Sequence, residues 1–186
     1  MTYQSVMSPA PPKHLDPVIS YATDESLFLL QIYQPPLGYH FLKRPYELQP
    51  LALESLPDVV FLDAEGRAIE EDEGNIAFTR YTLHIREDEH FQPHPAFAKN
   101  DKGDPLYIFN DAQEGEQYRT IPDFPRTDAR AVRANDYAYQ IKRLADPVNL
   151  SPMLGFMAQY IVGMPELSDQ LGQVERNGWL NLDKYE

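Results

Sequence analysis

His90 and His94 are the first residues whose type and spacing suggest chemistry, because an i, i+4 pair on a helix can offer two imidazoles to one cation. Their surroundings argue against that use. Pro93 stands between them and Pro95 follows, which forbids a regular helix, and the spacing specifies no third ligand. A small metal-dependent hydrolase built on this pair is one rival reading. The acidic run Glu70 to Glu73 is expected as a solvated loop and not as a metal site. His14 and His40 are isolated, and His84 falls on the polar face of a predicted strand, so all three are expected at the surface. No serine lies in a nucleophile-elbow context, and the 9 glycines are dispersed, so no phosphate cradle forms. With 29 acidic residues, chance carboxylate pairs are common and none stands out. The chain reads as a protein without catalytic equipment, metal or cofactor.

Bulk properties narrow the partners. The 186 residues suit one domain or one lobe of a larger protein, and a hydrophobic content of 42% permits a packed core. The net charge of -13 argues against nucleic acid, whose phosphates need a basic surface, and against docking on anionic lipid. The absence of cysteine removes disulfides, thiolate metal sites and cysteine nucleophiles together. No apolar run approaches the roughly 20 residues that span a bilayer. Met1 to Lys13 lacks the basic-then-apolar order of a signal peptide, which leaves a cytoplasmic protein or one whose export signal is not in this chain.

The elements that must position any site follow from pattern and breakers. Residues 1–19, with Pro9, Pro11, Pro12 and Pro17, read as an extended arm. Thr23 is expected to cap a helix whose first turn carries Asp24 and Glu25; it runs from Leu27 to Tyr33, is apolar nearly all round, and ends at Pro35-Pro36. Such a helix should be buried on several sides. A short strand over 37–41 and a turn at Lys43-Arg44-Pro45 come next, then a hairpin of 59–62 and 67–69 around Asp63-Ala64-Glu65-Gly66. Residues 76–86 give the clearest strand, with Tyr81, Leu83 and Ile85 on one face and Arg80, Thr82, His84 and Arg86 on the other. Residues 87–131 hold many turn formers and form a long insert. Three helices close the chain: 135–144 with Tyr137, Ile141 and Leu144 as its stripe, one opening at Ser151-Pro152 whose Met153, Phe156, Met157, Tyr160 and Ile161 serve the core until Gly163, and one from Pro165 to near Gly178.

Several segments, in order, resemble the extracellular solute-binding family 5 proteins, the oligopeptide and dipeptide binders of bacterial ABC importers. They are Leu15-Asp16-Pro17 with Ile32-Tyr33-Gln34-Pro35-Pro36-Leu37-Gly38-Tyr39; Leu48 to Leu56; Tyr81 to Arg86 running on to Phe91; and Arg133 to Tyr137 with Ile141 to Pro147. His40 to Tyr46 is similar to a proteobacterial branch of the same binders. Two features depart from the family pattern: Arg133 stands where a capping threonine is usual, and Pro93-His94-Pro95 with the stretch to Arg130 replaces a shorter connection.

The resemblance implies a mixed α+β fold of the α/β group, forming part of lobe I of a type II periplasmic binding protein, a mixed sheet flanked by helices, with the second lobe absent. It implies a periplasmic protein, monomeric when complete, whose partners are a peptide ligand and the permease subunits of the importer. It places the segment before the first helix beside the ligand cleft, so Ser20, Tyr21 and Thr23 are the expected ligand contacts. A stand-alone, non-catalytic interaction domain is the other reading.

Overall fold

The computed structural model describes residues 11–71, 74–109, 112–176 and 180–185. Within them the chain is mixed α+β, with small antiparallel sheets and several helices. Its contacts divide it into two units, one made of the residues up to Pro35 and those from Ala134 onward, the other of Pro36–Arg133.

The first unit is helical. Helix α1, Thr23–Ile32, is followed across the other unit by α3, Ala134–Ala145, α4, Leu154–Met157, and α5, Met164–Gly172. The core of this unit is the buried set Ala145, Met164, Leu167, Leu171 and Leu182, against which Tyr139, Leu144, Met157 and Ile161 pack. Leu167 and Leu171 are four apart on α5 and so share the face that meets α3. Met157 and Ile161 join the core as expected, but Phe156 and Tyr160 are 53% and 70% exposed. The helix expected from Ser151 to Gly163 is only Leu154–Met157, because beyond it the chain turns to Gly163, whose φ of 84° is a left-handed conformation that glycine adopts without a Cβ penalty. Gly163 then serves as the N-cap of α5, with Pro165 in its first turn. The expected end near Gly178 lies outside the described residues; α5 ends at Gly172.

Helix α1 inverts its expectation. Its single buried residue is Glu25, while Leu27, Leu30 and Ile32 are 52%, 71% and 51% exposed. The reason is electrostatic: the Glu25 carboxylate gathers backbone donors from the arm at Lys13 and His14, so the arm covers the glutamate and leaves Leu27 and Leu30 bare.

The second unit is built from strands and turns. Strands β1, Leu37–Tyr39, and β2, Leu48–Pro50, form an antiparallel pair, and Gly38 leaves room there for Leu51, whose Cδ1 would stand 2.7 Å from a Cβ at that position. The second sheet has the order β4-β3-β5: β3 is Asp58–Leu62, β4 is Ala68–Ile69 and β5 is Phe78–Thr82. The Asp63–Gly66 turn joins β3 to β4 as expected, with the Asp63 carboxylate accepting from the Glu65 and Arg67 N–H groups. The strand expected over 76–86 is shorter because it changes partner. Residues 78–82 pair with β3, and then Ile85 bridges Leu53, the Arg86 N–H donating to the Ala52 carbonyl and the Glu54 N–H to that of His84. On the predicted apolar face only Ile85, at the second pairing, is half-buried, while Tyr81 is 59% and Leu83 41% exposed.

The insert 87–131 is ordered by its own contacts. His90 bridges Ala131 and His94 bridges Asp128, Arg130 lies over the Phe91 and Phe97 rings at 4.6 and 5.4 Å, and short helical turns occur at Pro95–Phe97 and Ile121–Asp123, with α2 at Ala112–Gly115. No described helix is long and apolar enough to cross a membrane.

Candidate functional site

The residues expected to meet ligand lie on the short path between the Leu15-Asp16-Pro17 turn and α1. Asp16 begins that turn by accepting, on its side chain, the Val18 N–H at 3.0 Å, while its carbonyl takes the Ile19 and Ser20 N–H groups at 3.1 and 2.9 Å. The turn buries Val18 completely. Across 127 positions of sequence, the Arg143 guanidinium of α3 grips the Asp16 carboxylate through both of its NH groups, one at 3.0 Å. Burial pushes the Asp16 carboxyl up, but the Arg143 hydrogen bond, the Val18 N–H and the Arg143 charge together hold it below its ordinary value.

Glu25 fixes the other end of the path. Its Oε1 accepts from the Lys13 and His14 N–H groups, both at 3.0 Å, and its Oε2 accepts from the Ser20 hydroxyl at 2.5 Å. The Ser20 hydroxyl is the largest cause of a lowered Glu25 pKa, followed among the favourable ones by the N–H groups of His14, Lys13 and Ala22. A carboxylate so fully supplied with donors stays ionised at neutral pH and serves as a structural acceptor, not as a proton donor.

This arrangement corrects one expectation and locates the three candidates. Thr23 does not cap α1: the N-cap is Ala22, which has no side chain able to do so, and Thr23 is the first helical residue. Glu25 takes over half of that role, three residues after the cap, by reaching back to the Ala22 N–H. Ser20 is half-buried with its proton committed to Glu25, which leaves its oxygen lone pairs as acceptors. Tyr21 is 76% exposed and presents its phenol to solvent. Thr23 is exposed, and its carbonyl accepts from the Ser26 hydroxyl at 2.7 Å. The three sit within four residues on a path anchored at both ends, by Asp16 and by Glu25.

Sequence reasoning singled out the hydroxyls and missed the carboxylates that hold them. A glutamate three residues after a helix cap was the available signal for Glu25. A second carboxylate of this kind closes α3: Asp146, 5% exposed, receives both NH groups of Arg176 at 2.9 and 2.6 Å and accepts the Val148 N–H at 3.1 Å. No buried side-chain nitrogen or oxygen among the described residues lacks a partner.

The histidines take local roles. His90 Nδ1 lies 2.9 Å from the Asp88 carbonyl, and His94 Nδ1 accepts the Ala96 N–H at 3.1 Å, capping the turn at Pro95–Phe97. His84 is 3.3 Å from Asp58, and half-buried His40 accepts the Leu42 N–H at 3.2 Å. Among the described residues, no group of three or more His, Asp or Glu converges as a metal site would require. Glu70 and Glu71 are exposed, and the rest of that acidic run, 72–73, lies outside the described residues.

No protein family, no curated protein and no solved structure matches this chain.

Proposed function

We propose that this chain is part of lobe I of a periplasmic, non-catalytic peptide-binding protein that serves an ABC importer. The observation that carries the reading is the Asp16–Arg143 pair, which joins two of the segments resembling that family across the whole first unit. The other resembling segments also meet in order: Leu37–Tyr39 pairs with Leu48–Pro50, and Leu53 bridges Ile85. Residues that carry the resemblance therefore meet one another within each unit.

In this reading, ligand is held by enclosure between two lobes. Main-chain hydrogen bonds supply affinity that does not depend on peptide sequence, and the closed form is what the permease receives. Tyr21 offers an exposed phenol, and Ser20 an acceptor oxygen that Glu25 holds in place, so both suit a peptide N–H. Thr23 adds an exposed hydroxyl two residues after Tyr21. The bare leucines of α1 suit a helix covered by another part of a larger protein.

The same exposed face of α1 favours a second reading, a stand-alone interaction domain. Calorimetry with tri-alanine separates the two. The product of the full reading frame should bind it, and Tyr21→Ala in that product should weaken binding about tenfold, the size of one good hydrogen bond. The present chain alone should bind far more weakly, since one wall of the cleft is missing. Micromolar affinity of the present chain alone, or a reading frame with no further lobe and no permease gene beside it, would overturn the transporter reading.

A further inference from the structure

The insert carries a concavity of about 450 Å³ that is separate from the path before α1. Its wall is braced by three rings. Tyr118 and Phe124 stack face to face with centroids 4.2 Å apart and planes 12° apart, and Tyr107 stands edge-on to them at 5.7 and 5.0 Å. Tyr107 also accepts the Arg126 N–H on its hydroxyl at 3.0 Å, which ties the two ends of the stretch together. Between Tyr118 and Phe124 the Asp123 carboxylate accepts the Arg119 and Thr120 N–H groups at 2.9 and 2.7 Å and the Thr120 hydroxyl at 3.1 Å, fixing the turn. The cup is thus built from local hydrogen bonds and ring contacts.

Its lining joins apolar side chains to a cation. Ile108 is 64% and Phe109 42% exposed, both apolar and both on the concavity. Arg126 lines it as well, and among the described residues its guanidinium has no ion-pair partner; of the nearest acids in sequence, Asp128 accepts the Ala129 N–H and Asp123 is spent on its own turn. An unpaired guanidinium beside apolar walls is a receptor for a carboxylate attached to an apolar body. Glu114 borders the same space, so a second negative charge on the ligand is disfavoured.

We propose that this cup binds a monocarboxylate of amino-acid size with an apolar or aromatic side group, the carboxylate on Arg126 and the side group against Ile108, Phe109 and Tyr118. The inference does not depend on the transporter reading, because none of these residues belongs to the path before α1.

The test is a titration of the ¹⁵N-labelled chain, followed by ¹H–¹⁵N spectra, with N-acetylphenylalanine, its carboxamide and acetate. N-acetylphenylalanine should saturate shifts among residues 106–126 with a Kd on the order of 1 mM, the range open to a ligand of this size. The carboxamide should bind about tenfold more weakly, since it lacks the charge-assisted hydrogen bond, and acetate should give no saturable shift. Arg126→Gln should erase the advantage of the acid over the amide while leaving shifts outside 106–126 unchanged. Ile108→Ser should weaken acid and amide alike. Equal binding of acid and amide, an advantage that survives in Arg126→Gln, or saturable shifts outside this stretch would overturn the proposal.

Discussion

The two units of this chain solve the same problem by different means. The helical unit is held by a contiguous apolar cluster around Leu171 and by buried carboxylates that each collect several donors. The strand unit buries little beyond Ala52, Leu53, Pro95 and Ala98, and holds its shape through ladders, turns and aromatic pairs. Burial rewards with every square ångström removed from water, whereas exposed ladders and ring pairs exchange one set of contacts for water and gain little. The helical unit should therefore be the more costly to damage, and the strand unit the more tolerant.

The largest expected effect is at Leu171, which is fully buried. Leu171→Ala should destabilise the helical unit by about 3 kcal/mol, from lost burial and the cavity left behind. Urea unfolding followed by far-ultraviolet circular dichroism at 222 nm reports on this unit, which holds α1, α3 and α5. A loss under about 1 kcal/mol would erase the distinction between the units.

A smaller effect is expected in the strand unit. Tyr118→Leu keeps apolar bulk but removes the stacking on Phe124 and the edge contacts with Tyr107, which should cost about 1 kcal/mol. Amide hydrogen exchange should quicken in residues 106–126 and remain unchanged in α3 and α5. Faster exchange throughout would mean that the insert does not stand on its own contacts.

The most graded effect is on pH dependence. Glu25 and Asp16 both have folded pKa values below those of the unfolded chain, so each stabilises the helical unit fully above its unfolded value. That contribution is lost as pH falls from about 4.3 through the lower folded values. The urea midpoint followed by circular dichroism at 222 nm should drop across this range. Glu25→Gln should lower the midpoint at pH 7 and flatten its acid dependence, because the amide can neither ionise nor accept on both atoms. An unchanged slope would show that Glu25 does not anchor the arm.

Legibility in the sequence differed between these regions. The helix α3, the Pro165 start of α5 and the Asp63–Gly66 turn all follow from residues close in sequence, and each is present, but of the stripe expected on α3 only Leu144 packs on the core while Ile141 is 41% exposed. The first helix was placed well but its burial was misjudged, because apolar content says nothing of which face finds a partner. The candidate contacts Ser20, Tyr21 and Thr23 were visible as residue types. Their presentation was not, since it depends on Glu25 and on Arg143, the latter 127 positions from Asp16.

The sequence alone determined the mixed α+β class, most helix starts and the turns, since propensity, capping and breakers act within a few residues. Only the tertiary structure decided that a glutamate and not a leucine fills the buried side of α1, that residues 78–86 divide their pairing between β3 and Ala52–Glu54, and that Arg126 lines an aromatic cup with no ion-pair partner among the described residues. Each of these depends on which distant donors, edges and rings converge, and convergence is set by the whole chain's competition for contacts, not by any local pattern.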